Sequence, residues 1–288
     1  MIHRLNSAQL SIGIKAMGAE LFSVKNKVGI EFMWQANPQI WARHAPVLFP
    51  IVGKLKNDCY FLNEHTYQLN QHGFARDMLF DLIEANHNSC TFRLVQSAES
   101  KTKYPYDFLL DIIYTLKHER LEIAYHITNS GNEKLHFSIG AHPAFNVPLM
   151  PDEKFEDYVL SFGQDEYQLT KLQDGLISKK YENLHLNNKQ LPINSQLFDA
   201  DALVFEKAQI DEIGLFSTKN SHKITLNCKN WPFFGIWSKK GCGEFVCLEP
   251  WFGIADELDT SQVLEQKKGI LSLDPEQTFN CAYSITFS

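Results

Sequence analysis

Large apolar residues alternate with other residues along much of the chain, which is the period-two pattern of a β-strand. The clearest case is residues 108–116 (FLLDIIYTL), followed after a polar turn by residues 121–128 (LEIAYHIT). The turn-forming run at residues 129–132 (NSGN) then leads into residues 135–139 (LHFSI). Alternation bounded by such turns predicts an antiparallel meander of successive strands.

Short runs of the same kind recur along the whole chain, at residues 91–95, 159–162, 223–228, 233–238, 244–248 and 283–287. Strands spaced in this way, without strand–helix–strand alternation, predict an all-β sandwich or barrel. Helix signals are few. Residues 38–43 and 197–205 could each form one or two turns, but neither holds a long 3.6-residue stripe.

The composition agrees with a large globular β-protein. Hydrophobic residues make up 44%, charged residues 21% and aromatic residues, which favour strands, 12% of the chain. No Gly/Ser-rich or Pro-rich linker divides the sequence. We therefore expect residues 1–288 to form a single domain.

The net charge and the absence of long apolar runs argue against several classes of partner and location. The formal net charge is −7, which disfavours nucleic acid because phosphate binding needs a basic face. No window holds 18 uninterrupted apolar residues, so we expect no membrane span. Residues 1–6 (MIHRLN) lack the apolar stretch of a signal peptide, and the six cysteines form no CxxC pair. Reduced thiols in a cytoplasmic protein are therefore expected.

The first of three segments with candidate chemistry is residues 70–77 (NQHGFARD). His72 stands directly before a glycine, and Arg76 follows four residues later. A titratable ring beside a flexible backbone point could reach into a cleft. A purely structural role for this histidine stays open.

The second segment is residues 137–148 (FSIGAHPAFNVP), where an apolar strand breaks at Gly140 and His142 precedes a proline. The proline favours an extended His142 and ends central pairing, because it cannot donate to a ladder. His142 is therefore expected on a stiff segment at a strand end. It is either presented to a cleft or part of a hairpin corner.

The third segment is residues 245–253 (FVCLEPWFG), in which Glu249 ends an apolar strand before Pro250 and Trp251. If the carboxylate is buried, loss of water raises its pKa and makes it a general base near neutral pH. A solvated strand end is the alternative. Three separate strand ends could bring Glu249 and the two histidines to one cleft. No phosphate-binding glycine loop, GxSxG elbow or HExxH pair competes with them.

These residues resemble the aldose 1-epimerase (galactose mutarotase-like) family, and within it the bacterial galactose mutarotase-related branch. The resemblance runs nearly the whole length and rests on residues 44–50 (HAPVLFP), 72–76 (HGFAR), 140–146 (GAHPAFN) and 248–251 (LEPW). It implies a large antiparallel β-sandwich with few short helices, and a small sugar as substrate. It implies no metal and no organic cofactor. We expect a monomer or a homodimer.

The resemblance also implies roles for the three groups. A mutarotase exchanges the α and β anomers of a hexose by opening and reclosing the ring. Carried over by motif, Glu249 is the general base on the O1 hydroxyl, and His142 is the general acid that protonates the ring oxygen. His72 corresponds to a second histidine that hydrogen-bonds the sugar and could share the acid role.

Substrate-binding residues are implied less closely. Lys54 stands where galactose-specific enzymes have an arginine, and a lysine lacks the bidentate fork of that side chain. Asp201 is the candidate for a family aspartate, with Asp199 two residues away as the alternative. Lys54 and Arg76 could instead meet a phosphate, as in hexose-6-phosphate 1-epimerases. A carbohydrate-binding protein without turnover is a further alternative, which the presence of both His142 and Glu249 disfavours.

Three tryptophans are candidate platforms for the C–H face of a sugar, namely Trp34, Trp41 and Trp251. Each is also compatible with a place in the core. We predict that Trp251, beside Glu249, binds substrate.

Overall fold

The computed structural model describes residues 1–288, and antiparallel strands form most of it. The strands are β1 (Ile2–Asn6), β2 (Leu10–Lys15), β3 (Glu20–Asn26), β4 (Val47–Leu48), β5 (Cys59–Leu62), β6 (His65–Gln68), β7 (Asp81–Ala85), β8 (Ser89–Val95), β9 (Phe108–Lys117), β10 (Arg120–Asn129), β11 (Leu135–Phe137), β12 (Ile139–Ala141), β13 (Ala144–Asn146), β14 (Tyr158–Ser161), β15 (Glu166–Gln173), β16 (Leu176–His185), β17 (Gln190–Pro192), β18 (Leu203–Glu206), β19 (Glu212–Ser217), β20 (Lys223–Asn227), β21 (Phe233–Trp237), β22 (Phe245–Phe252), β23 (Leu271–Leu273) and β24 (Thr278–Phe287). The helices are α1 (Ala98–Lys103) and four 3-10 helices at Lys56–Asp58, Ala75–Asp77, Phe155–Asp157 and Leu264–Gln266. None of them is long and apolar enough to cross a membrane.

Two large sheets dominate the fold. The nine-stranded sheet has the order β17-β14-β19-β20-β24-β10-β9-β8-β7. The eight-stranded sheet has the order β16-β15-β18-β21-β22-β12-β4, and β13 also pairs with β22. The remaining strands form three small sheets, β1-β2-β3, β5-β6 and β11-β23. β24, which follows all other strands along the chain, lies in the middle of the nine-stranded sheet between β20 and β10.

The alternating pattern at residues 108–128 forms a hairpin, as predicted. β9 pairs with β10 so that Leu121 lies opposite Leu116 and Tyr125 opposite Ile112. Along β9 every second residue from Phe108 to Leu116 is buried. Because side chains alternate across a strand, this register turns one apolar face of the hairpin inward.

The two large sheets pack face to face and share one core. Phe252 of β22 meets Phe279 of β24 with ring centroids 5.1 Å apart. Phe145 of β13 meets Phe287 of β24 at 6.3 Å. One cluster of 65 buried residues takes in both sheets and runs from residue 5 to residue 287. The predicted all-β antiparallel sandwich is confirmed, whereas the single domain over residues 1–288 stays a prediction.

The predicted third strand of the meander is wrong in its pairing. β11 leaves the nine-stranded sheet and pairs with β23, with Leu135 opposite Leu273. The Asn129 side-chain amide donates to the carbonyl oxygens of Glu133 (2.7 Å) and Leu273 (2.9 Å). These bonds direct the chain to β23, whereas β24 takes the place beside β10.

Neither predicted helical segment is a helix. Residues 38–43 make one turn, after which the Trp41 ring stacks on Phe245 at 5.5 Å. In residues 197–205, Asp201 has a φ of 93°, which ends any right-handed turn. Phe205 then lies in β18 opposite Phe234. The α-helix that does form, α1, begins at a Ser97 capping box that the apolar pattern does not register.

Candidate active site

A cavity of about 630 Å³ lies along the eight-stranded sheet. All seven residues that the sequence predicts for the site line it: Lys54, His72, Arg76, His142, Asp201, Glu249 and Trp251. The other lining residues are Trp41, Gly53, Asp58, Gln71, Leu172, Asp174, Gly175, Ile177, Ala202, Val204, Trp237, Ile254 and Ala255. The volume is in the range of small-molecule sites.

Strand register brings His142 and Glu249 together. β12 and β13 both pair with β22, with Gly140 opposite Trp251 and Ala144 opposite Cys247. The same register across the gap between β12 and β13 puts His142 opposite Glu249. The His142 Nε2 lies 3.2 Å from Glu249 Oε2, and both side chains are buried.

The expected strand ends at these two residues are only half right. His142 lies in the short break before Pro143, as predicted. Glu249, however, is internal to β22, because the ladder continues through Trp251, which lies opposite Gly140 on one side and Phe233 on the other. The carboxylate therefore projects from a fixed strand with neighbours on both sides, which gives it a defined position.

Two glycines make room for Trp251. A Cβ added at Gly235 on β21 would lie 2.3 Å from the indole, and one added at Gly140 on β12 would lie 2.8 Å from it. The strands on either side of β22 thus leave space for the indole. Trp251 consequently lies beside Glu249 and lines the cavity.

His72 reaches the cavity from a loop. His72 and Gly73 have φ values of 68° and 71°, and a Cβ at Gly73 would lie 2.2 Å from the Phe49 carbonyl oxygen. The His72 N–H donates to Gly53 O (2.9 Å), and the Gly53 N–H donates to Nδ1 of the ring (3.1 Å). An accepting nitrogen carries no proton, so the neutral ring holds its proton on Nε2. The Gln71 side-chain amide lies 3.2 Å from the His72 Nε2, and the amide oxygen is the group that can accept that proton.

Burial shifts the pKa values of the His142–Glu249 pair in opposite directions. It raises the pKa of Glu249 well above its ordinary value, and the charge of Asp201 adds to the rise. The Trp251 indole N–H partly opposes this without completing a regular hydrogen bond. Burial lowers the pKa of His142 to about 3. Both shifts favour the neutral pair, in which Glu249 carries the shared proton.

The same cause acts on His72. Burial lowers its pKa well below the ordinary value, and the neighbouring His142, Arg76 and Arg43 lower it further. A proton added at Nδ1 would also break the bond from Gly53. His72 therefore stays neutral near pH 7 and can donate from Nε2.

The predicted binding residues lie around the rim. The Lys54 Nζ donates to the carbonyl oxygen of Asp174 (3.2 Å). The Arg76 guanidinium donates to the Gln71 carbonyl oxygen (2.8 Å). Asp201 lines the cavity, whereas Asp199 lies outside it and is 3.6 Å from Lys240.

The tryptophans divide between the cavity and the core. Trp41 lines the cavity and stacks on His142 with ring centroids 5.0 Å apart. Trp34 is buried behind it and donates from Nε1 to the Trp41 carbonyl oxygen (2.9 Å). Trp237, 5.7 Å from His142, also lines the cavity and was not expected. The sequence predicts a strand at residues 233–238, which includes Trp237, but no motif marks this tryptophan as a site residue.

Three side chains in the site could hold a metal ion. His142, Cys247 and Glu249 each offer one ligand atom, and these atoms lie within 4.8 Å of one another. A set of nitrogen, sulfur and oxygen donors suits a borderline-soft cation. Two of these ligand atoms, on His142 and Glu249, are already in direct contact and share a proton. The expected chemistry without a metal stays a prediction.

Comparison with known proteins identifies relatives along the whole chain. The family model described as Aldose 1-epimerase matches residues 1–267. "Protein LacX, chromosomal" of Lactococcus lactis subsp. lactis is 34% identical over 296 residues, covering 99% of each protein. A galactose mutarotase related enzyme from Lactobacillus acidophilus has a TM-score of 0.96 at 35% identity, covering 100% of this chain and 97% of that one. A galactose mutarotase-like protein from Lactobacillus casei has a TM-score of 0.93 at 30% identity, with full coverage of both.

Proposed function

The chain belongs to the aldose 1-epimerase family, and on that basis we propose that it is an isomerase that interconverts the α and β anomers of a free hexose. The observation that carries this proposal is the buried 3.2 Å contact between His142 Nε2 and the Glu249 carboxyl inside the cavity. A buried carboxyl and a buried imidazole in contact form a unit that can give and take one proton each.

In the proposed reaction, the shared proton first passes from Glu249 to His142. Glu249, now in its carboxylate form, takes the proton from the O1 hydroxyl of the hexose. His142 in its imidazolium form gives a proton to the ring oxygen. The C1–O5 bond breaks, and C1 becomes an aldehyde carbon. Rotation about C1–C2 then presents either face of the aldehyde, and the same two groups reverse their roles as the ring closes.

The opposite pKa shifts fit these roles. A carboxylate with a raised pKa is a stronger base, and an imidazolium with a lowered pKa is a stronger acid. Ring opening converts the ion pair of Glu249 and His142 into the neutral pair that burial favours. The number of protons on the pair stays constant throughout, because one leaves His142 as one arrives at Glu249.

His72 supports the reaction as a neutral hydrogen-bond donor. Its Nδ1 is occupied by the Gly53 N–H, so its Nε2–H is the group available to a sugar oxygen. Its ring centroid lies 5.6 Å from that of His142. A donor at this distance can hold the sugar so that its ring oxygen faces His142.

The charges of the cavity favour a neutral hexose over a hexose 6-phosphate. Lys54 and Arg76 bring two positive charges, whereas Asp58, Asp174 and Asp201 bring three negative charges. A phosphate dianion would meet repulsion from the three carboxylates, while sugar hydroxyls can donate to them. Because Lys54 and Arg76 could bind a phosphate, a hexose 6-phosphate is the second substrate to test.

The proposal is tested by polarimetry of fresh α-D-glucose, α-D-galactose and their 6-phosphates with wild type and Glu249→Gln. We expect wild type to accelerate mutarotation of a free hexose and Glu249→Gln to lose roughly 10²–10⁴-fold, the usual effect of one proton-transfer group. Glu244→Gln, at an exposed position just before β22, is the matched control and should keep full activity.

The possible outcomes separate the candidate functions. No acceleration of any sugar by wild type contradicts the epimerase proposal. Sugar binding by calorimetry together with no acceleration indicates a carbohydrate-binding protein. A preference for the phosphates assigns the hexose-6-phosphate reaction instead.

A further inference from the structure

A buried ion pair lies outside the reacting groups. The Lys267 Nζ is 3.0 Å from the Asp256 carboxylate, and the two side chains are 3% and 2% exposed. Removing two charges from water is unfavourable unless all their donors and acceptors are used. The other partners of these two side chains therefore indicate what the pair holds in place.

Those partners belong to the wall of the cavity. The Lys267 ammonium also donates to the Ile254 carbonyl oxygen (2.5 Å). The Asp256 carboxylate accepts from the Lys56 N–H (2.9 Å), and the Asp256 N–H donates to the Lys54 carbonyl oxygen (2.9 Å). The pair thus joins two chain segments, residues 54–56 and 254–256, that are far apart in sequence.

Gly53 rests on the joined segments. A Cβ at Gly53 would lie 2.6 Å from the Ala255 Cα, so the two backbones are in direct contact. Ala255 stands between Ile254 and Asp256, which are the two residues bound by Lys267. The Lys267 side chain therefore fixes both sides of the surface on which Gly53 sits.

Gly53 in turn holds His72. It accepts from the His72 N–H and donates to the His72 ring, and the second bond keeps the proton on Nε2. A shift of Gly53 would remove this bond and admit water to the ring. The path from the ion pair to the imidazole runs through contacts between immediate neighbours.

We propose that Lys267 and Asp256 are positioning residues for the epimerase reaction, which hold the cavity wall so that His72 keeps its neutral, Nε2-protonated form. This inference rests on the proposed function, but its structural half concerns the protein without sugar. Neither residue lines the cavity or touches the reacting atoms.

The neighbours of His72 predict what happens when the wall loosens. The titratable and charged groups that face it are His142, Arg76 and Arg43, and Asp77 pairs with both arginines. None of these contacts Lys267, whose charged neighbours are Asp256 and Glu257. A change at Lys267 therefore reaches His72 through position and hydration. Restored hydration raises the pKa of His72 toward its ordinary value.

The experiment compares Lys267→Met with Lys268→Met. Lys268 is the adjacent lysine, pairs with Glu206 and Glu257, and serves as the matched control. We expect Lys267→Met to lower kcat about 10–100-fold, as displaced catalytic groups do, with a smaller change in KM. The acidic limb of the pH profile of kcat/KM should move upward. Lys268→Met should leave the limb where it is and keep kcat within about twofold of wild type.

Nitrogen NMR of the histidine rings in the sugar-free protein gives the independent readout, with the His72 signal assigned from His72→Gln. Lys267→Met should weaken the Nε2–H signature of His72 and raise its titration midpoint. A folded Lys267→Met with an unchanged His72 signal, or with an unchanged acidic limb, overturns the inference. If wild type acts on no sugar, the proposed function is contradicted. The NMR measurement on the sugar-free protein still decides whether Lys267 and Asp256 position His72.

The double variant Asp256→Asn/Lys267→Met covers the case in which Lys267→Met does not fold. It removes both charges, so no buried charge is left alone, and the asparagine oxygen can still accept from the Lys56 N–H. The double variant also lacks the hydrogen bond from Lys267 to the Ile254 carbonyl oxygen. The same change at His72 is expected, and its absence in the folded double variant overturns the inference.

Discussion

At the scale of single residues, one physical cause produces both halves of the proposed chemistry. Burial disfavours charge on any group, so it raises the pKa of the Glu249 acid and lowers the pKa of the His142 base. The pKa values of two groups in the same buried site are thereby shifted in opposite directions. Burial alone makes the Glu249 carboxylate a stronger proton acceptor and the His142 imidazolium a stronger proton donor.

The pH dependence of kcat/KM follows from these shifts. Activity requires one shared proton on the pair, so it falls at low pH when a second proton adds to His142 and at high pH when Glu249 loses the shared proton. Because the pKa of His142 is lowered to about 3 and that of His72 is also lowered, the acidic limb should lie well below the ordinary histidine value of about 6.5.

The measurement is mutarotation rate against pH, with the uncatalysed rate subtracted at each point. A plateau that continues from neutral pH to below about pH 5.5 is expected, since neither histidine gains a proton there. An acidic limb with its midpoint near 6.5 contradicts the lowered pKa values. Glu244→Gln, the exposed control, should reproduce the wild-type profile.

Sequence reasoning identified the side chains that short motifs carry and missed those that only the fold brings near. His72, His142 and Glu249 are identifiable because each is a polar group in an unusual local setting, and all three line one cavity. Asp174 and Trp237 have ordinary surroundings in the sequence. They line the cavity because of strand register and a turn between β15 and β16, which no local pattern records.

At the scale of elements, β22 organises the site. It carries Glu249 and Trp251 on one face. The break between β12 and β13 supplies the opposing His142, and the flanking strands β12 and β21 leave the space for the indole. The space depends on glycine at two positions. The site is therefore sensitive to side-chain size on strands that contribute no reacting group.

Gly235→Ala tests this dependence. The new Cβ would lie 2.3 Å from the Trp251 ring, inside a close-packed sheet. We expect a loss of about 1–3 kcal/mol in the free energy of unfolding, as in overpacked cores, and a loss of about tenfold or more in kcat/KM because Trp251 moves beside Glu249. Urea unfolding and polarimetry measure the two effects.

Gly163→Ala is the matched control. A Cβ at Gly163 has its nearest neighbour, the Tyr167 hydroxyl, at 3.9 Å, which is ordinary contact. Its stability should stay within about 0.5 kcal/mol of wild type. Equal effects of the two substitutions would show that the space beside Trp251 has no special importance.

Elements were predictable where the pattern is long and failed where it is short. The ten-residue strands β9 and β10 repeat the period-two pattern often enough to set their pairing. The three-residue strand β11 does not, and its pairing with β23 is accompanied by side-chain hydrogen bonds from Asn129 that the apolar pattern does not record. The segment at residues 197–205 holds apolar residues at helical spacing by coincidence, and Val204 and Phe205 are instead buried in β18.

At the scale of the whole molecule, the two large sheets share one core, and we propose that residues 1–288 unfold as one unit. Core residues come from both sheets and from the small sheet β1-β2-β3. Because the two sheets bury their apolar faces against each other, opening one sheet exposes the core residues of the other. Cooperative unfolding is the expected result.

Urea unfolding followed by far-UV circular dichroism and by tryptophan fluorescence tests this prediction. The two signals should give coincident transitions with a single midpoint. Two separated transitions contradict the single-domain prediction. Refolding should be slow for the size of the protein, since most strand pairs join distant residues.

The position of β24 bears on how the protein is made. At about 5–20 residues per second, a ribosome takes on the order of ten seconds or more to go from β10 to residue 287. During this time the edges of β10 and β20 that β24 will join are open templates for other chains. A nascent chain therefore carries unpaired sheet edges until its last strand is delivered. A chain cut short before residue 278 keeps both edges open for good.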